Sequence, residues 1–70
     1  MMPLTMANIG EKLQVVSVGG MEDTKRFLTN LGFTEGVEVT LVSKIDGNVI
    51  VNVRDSRVAL DNNMAKKIMV

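Results

Sequence analysis

The stretch "SVGGMEDTKRFLTNLGF", residues 17–33, sets two glycines in front of a helix. That arrangement is one way a protein holds a phosphate: backbone amides approach the anion and the helix dipole favours it. Gly19 and Gly20 are placed for the task, but neither Gly-x4-Gly-Lys nor Gly-x-Gly-x2-Gly is completed. Charge decides the matter. Glu22 and Asp23 stand in the first helical turn, where they would face any bound anion. Two like charges ~4 Å apart repel by about 1 kcal/mol even in bulk-water dielectric, and by more near a protein surface. The glycines therefore read as a joint: they let the chain reverse and let the helix approach a sheet closely.

Other chemistry is constrained by what the seventy residues lack. There is no Cys and no His. Disulfides, thiolate metal sites and the commonest general base are thereby excluded. Ser17, Ser43 and Ser56 have no evident base partner. The six Met offer thioethers, soft ligands that suit copper(I). Met1 and Met2 are terminal, and Met6 and Met64 read as fillers of irregular core gaps. The carboxylates are scattered, without the alternating run of a calcium loop. Asp55 and Asp61 are one pair with a chance to meet, and a solvated turn is the simpler account of them. The expectation is no enzyme, no cofactor and no metal-ligating residue.

Three basic pairs, Lys25 with Arg26, Arg54 with Arg57 and Lys66 with Lys67, would hold a few phosphates if they converged. Eight basic residues are balanced by eight acidic ones, and Phe27 and Phe33 are the only aromatics. Stable nucleic-acid binding is therefore not expected. No apolar run approaches the ~20 residues of a membrane helix, and no secretory leader is evident. The expectation is a cytoplasmic chain without membrane insertion. Protein binding is the class that survives. Met21 opens the helix with nothing obvious to cover it, Ile45 flanks a hairpin, and strand alternation points Ile50 outward. With Lys25 and Arg26 at the border, these make a small apolar patch with a polar rim. The candidate contact residues are Met21, Lys25, Arg26 and Ile50. The patch, or an exposed strand edge, also offers a route to weak self-association.

Short elements must position these residues. A chain of this length buries only ~60% of the surface it exposes when unfolded, so most large apolar residues have to serve one core. Thr5 reads as the cap of a short turn, with Leu4, Met6 and Ile9 plugging the core. "KLQVVSV", residues 12–18, is a strand with apolar residues of both parities: either both faces are covered or a bulge shifts the register. The helix spans roughly residues 21–31, with Thr24, Phe27, Leu28 and Leu31 on one stripe. Gly32 stops it, and Phe33 folds back on Leu28. Val37, Val39 and Leu41 alternate inward, Asp46-Gly47 turns a hairpin, and Val49, Val51 and Val53 return. "RDSR" makes a second turn before Val58 and Leu60. A helical turn capped by Asp61 or Asn62 leads to a last strand with Ile68 and Val70 inward. The fold expected is mainly β: a small five-stranded barrel, with one short helix after the first strand as a lid and a helical turn before the last strand.

"KRFLTNLGFTEGVEVTLV", "VIVNVRDSRVAL" and "MAKKIMV" together resemble the ferrous iron transport protein A (FeoA) family. Leu28, Leu31, Gly32, Gly36, Val37, Val39, Val53, Ala59, Leu60, Ile68 and Val70 carry the resemblance, in order, over about Leu4 to Val70. It implies an SH3-like barrel and an accessory of the FeoB ferrous iron permease, a membrane protein with its own GTPase domain. It also implies likeness to the C-terminal domain of iron-dependent repressors, and hence an alternative role as a regulatory, nucleic-acid-associated barrel. This chain departs from the pattern at Phe27, where relatives often carry a basic residue, and at Glu35, where they often carry Pro. A third departure is the short loop "KIDGN".

Overall fold

Alternation sets the centre of the molecule. In the computed structural model, which describes residues 1–70, β3 (Glu38–Ile45) pairs antiparallel with β4 (Asn48–Val53). Val39, Leu41, Val49, Val51 and Val53 are buried on the shared inner face. The β3–β4 hairpin turns at Asp46 (φ 49°) and Gly47 (φ 83°), the paired positive angles of a type I′ turn. β5 (Ser56–Leu60) follows a second tight turn, with Arg54 at φ 56°. β1 (Lys12–Gln14) completes a four-stranded sheet in the order β1-β3-β4-β5.

The five-stranded barrel expected from the sequence is corrected here: six strands form two sheets. The segment 12–18 is not one strand. The Val15 N–H donates to Val37 O at 2.9 Å, whereas the Val16 N–H donates to Met69 O at 2.7 Å. The chain thus changes sheet between two adjacent valines. β2 (Ser17–Val18) pairs with β6 (Ile68–Met69) in a separate two-stranded sheet. This explains the mixed parity: Val15 faces the core, while Val16 is exposed. A second irregularity sits in β3. Leu41 pairs with Val51 but Ser43 with Ile50, so Val42 is an extra, bulged residue.

The helix α1 (Glu22–Asn30) ends as its sequence requires. Gly32 takes φ 112°. The Phe33 N–H donates to Leu28 O at 3.1 Å and the Gly32 N–H to Thr29 O at 3.0 Å, the two bonds of a Schellman motif. Leu28 and Phe33 are both completely buried. Phe27, expected on the same stripe, is 49% exposed, and Leu31 and Thr24 are half-buried.

The N-terminal turn also differs from expectation. Pro3, not Thr5, precedes the 3-10 turn Leu4–Met6. Residues three apart eclipse in such a turn. Leu4 and the C-cap Ala7 share the buried face, whereas Met6, and Ile9 in the following turn, are exposed instead of plugging the core. At the other end, Asp61 caps the short helix α2 (Asn62–Ala65), its carboxylate accepting from the Met64 N–H at 2.8 Å. Val70 exchanges two 2.8 Å backbone bonds with Met2 and is half-buried, while Ile68 is fully buried.

The turn before β3 carries a stability prediction. The Val37 N–H donates to Thr34 O at 3.0 Å, and Gly36 sits at φ 87°. These are the marks of a type II turn, in which Pro is favoured at the position Glu35 holds. No backbone bond uses the Glu35 N–H. Glu35→Pro is expected to raise stability by about 0.4–1 kcal/mol, read as a higher urea midpoint at unchanged slope.

Candidate functional site

The glycine joint is a packing device. The Gly19 N–H is spent on Lys67 O at 2.8 Å. Gly20 has φ 97°, and a Cβ there would lie 2.9 Å from Lys67 Cδ and 3.5 Å from Thr24 Cγ2. The glycine lets the chain turn into α1 directly beneath the Lys67 side chain. Glu22 and Asp23 occupy the first turn of the helix, where they complement its dipole.

α1 presents most of its side chains to solvent. Met21, at its N-cap, is 81% exposed and makes no side-chain capping bond. Lys25 is exposed and rims a groove of about 320 Å³ between α1 and β2, lined also by Ser17, Val18, Thr29 and Glu35. Arg26 reaches Asp23 at 4.0 Å, with both side chains largely in water. An exposed pair of that length holds neither partner firmly. Two further cations flank the helix. Lys67 stands at its start, as described. At its end the Arg54 side chain passes over Gly32 and donates to Thr34 Oγ1 at 3.3 Å. Arg54 thus complements the negative end of the helix dipole.

Met21, Lys25 and Arg26 therefore share one helix. Ile50 is placed elsewhere. It is half-buried on the outer face of β4 and lines a different groove, of about 270 Å³, with Ile45, Val49 and Ala59. The two grooves have no residue in common. Alternation gives the face of a strand but not its position around the molecule, so the sequence does not separate Ile50 from the helix. Nor does it mark Ala59, since a single outward alanine carries no signal.

The remaining chemistry-bearing groups are dispersed. Asp55 and Asp61 flank β5 at opposite ends, so they do not meet. No three carboxylates gather into a group that would hold a metal ion. Arg57 donates from Nε to Asn52 Oδ1 at 3.2 Å, beside Arg54 and Asp55 in a polar surface depression. No polar or charged residue is buried.

A family model of the FeoA domain matches residues 2–70. The chain belongs to the FeoA family. Membership implicates it in ferrous iron transport. Among solved structures, FeoA from Stenotrophomonas maltophilia is 29% identical with a TM-score of 0.85, over 99% of this chain and 88% of that one. That protein was solved with zinc, and is described as a prokaryotic SH3 domain protein put forward as a ferrous iron transport activating factor. An iron uptake regulatory protein, also FeoA, is 25% identical with a TM-score of 0.86, over 96% of this chain and 89% of that one. The two-sheet architecture is accordingly SH3-like. A manganese-dependent transcriptional repressor has a TM-score of 0.86 at 16% identity, over 94% of this chain and 38% of its own. That likeness shows the fold alone. No curated protein matches by sequence. No helix of this FeoA-family chain is long and apolar enough to cross a membrane.

Proposed function

We propose that this chain is a cytoplasmic accessory of ferrous iron transport that binds a FeoB-type permease, or its GTPase domain, and biases its state. The family match over residues 2–70 is the observation that carries the reading. Iron in this reading is the permease's cargo. The accessory acts by having different affinities for two permease conformations, the only way a bound partner shifts such an equilibrium.

The contact surface we assign is the outer side of α1, with Met21 as the apolar element and Lys25 and Arg26 as the cations. Glu22 and Asp23 balance Lys25 and Arg26 within the helix, and Lys67 and Arg54 stand at its two ends, so a partner surface with acidic groups opposite these four cations is the match. Exposed residues cost the fold little when changed. Lys25→Glu with Arg26→Glu is therefore expected to leave the thermal midpoint within a few degrees while weakening partner binding about tenfold or more. Raising the salt should weaken the wild-type complex in the same direction. Isothermal titration against the soluble GTPase region measures both. An affinity unchanged by the double reversal would remove α1 from the interface. Ile50→Ser, in its separate groove, serves as the comparison variant.

A further inference from the structure

β5 ends the four-stranded sheet, and its outer edge has no neighbour. We infer that this edge pairs with β5 of a second copy of the chain, antiparallel about a two-fold axis through Ala59.

The backbone supplies the first reason. Val53 and Ser56 flank a tight two-residue turn and face each other across it. Such a pair exchanges both hydrogen bonds, and bonded and non-bonded pairs alternate from there. Val51 with Val58 and Val49 with Leu60 are then bonded pairs, while Arg57 and Ala59 turn their N–H and C=O groups away from β4. None of the backbone bonds outside the helices and strands uses those groups. Proteins blunt such an edge with Pro, Lys, a bulge or shortness. β1, at the opposite edge, has three residues and carries Lys12. β5 has five residues, "SRVAL", in regular register with β4, with neither Pro nor a bulge, and Arg57 is its one charged residue.

Charge and shape choose the occupant and the register. Placing Ala59 opposite Ala59 of the second copy puts Arg57 opposite Asp61, the residue just past β5 whose carboxylate also caps α2, on both sides of the axis. Opposite charges facing across strands are stabilising. A shift of one residue, with Val58 on the axis, would instead put Asp55 against Asp61. Ala59 also pairs with Ile50 across β4, and both line the apolar groove with Ile45. In the two-fold register the grooves of the two copies meet at the axis, so one apolar strip runs across the joined sheets. The balanced charge of eight basic and eight acidic residues leaves no net repulsion between copies. A short edge alone buries less than a standard interface, so the dimer is weak.

The test is a dilution series of the 15N-labelled chain from about 1 mM to about 10 µM, followed by amide shifts and by sedimentation. The expected result is a concentration-dependent dimer whose shifts centre on Arg57, Ala59 and Asp61, with slowed exchange at the Ala59 amide. Ala59→Lys places two like charges at the axis on an exposed position and should abolish the association without unfolding the chain. Arg57→Glu, which faces Asp61 with a like charge, should weaken it at least tenfold. A chain that stays monomeric throughout, shifts centred away from β5, or a dimer that survives Ala59→Lys would each overturn the inference.

Discussion

Phe33→Ala is expected to remove about 3–5 kcal/mol of stability and to lower the thermal midpoint by well over ~10 °C. Phe33 is completely buried and is the largest side chain in the core. A chain of this size has only ~4–10 kcal/mol in total, so the variant sits near the unfolding threshold at ambient temperature. The loss has two parts. One is transfer of the ring out of its apolar surroundings, with a cavity left behind. The other is local: Phe33 follows Gly32, and its packing holds the end of α1 against the sheets. Urea unfolding followed by circular dichroism measures the total. A loss below about 1 kcal/mol would mean that the ring is not an anchor.

Gly32→Ala is expected to cost about 1–3 kcal/mol, from backbone strain and not from a lost side chain. The residue stands at φ 112°, where L side chains are strained. Its Cβ would meet Val53 Cγ2 at 3.4 Å and Arg54 Cδ at 3.5 Å, which is ordinary contact, so the cost lies in the backbone. The damage should be polarised. Exchange of the Phe33 amide, which bonds Leu28 O, should accelerate far more than that of the amides inside β4. Uniform acceleration along the chain would show a global effect without a special role for the helix stop.

The helix stop was legible because it depends on neighbours in sequence: a stripe, a glycine and an aromatic one position beyond. The β3–β4 hairpin was legible for the same reason, since alternation and Asp-Gly are both local. What stayed hidden depends on the other partner. Nothing within "KLQVVSV" says that Val15 answers to Val37 and Val16 to Met69, so the break between β1 and β2, and with it the sixth strand, could not be read. The doubled apolar parity recorded the consequence without the cause. The bulge at Val42 was masked because Leu41 and Val42 are both apolar and either fits a strand. Hydropathy alone does not separate Met6 and Ile9 from Leu4, whereas the three-residue period of the turn puts Leu4 and Ala7 inside. For the candidate surface, exposure of Met21, Lys25 and Arg26 followed from helical spacing. That Ile50 lines a separate groove depends on how the sheet wraps, which one-dimensional alternation does not encode.

We propose that α1 is the face this FeoA-family protein offers to a ferrous iron permease. The direct measurement is a titration of the 15N-labelled chain with the soluble GTPase region of a FeoB-type permease, followed amide by amide. The expected shifts concentrate on Met21, Lys25, Arg26 and the β2 segment, and shrink as salt is added. Amides that do not move at saturating partner, or shifts confined to the hairpin turns and β5, would contradict it.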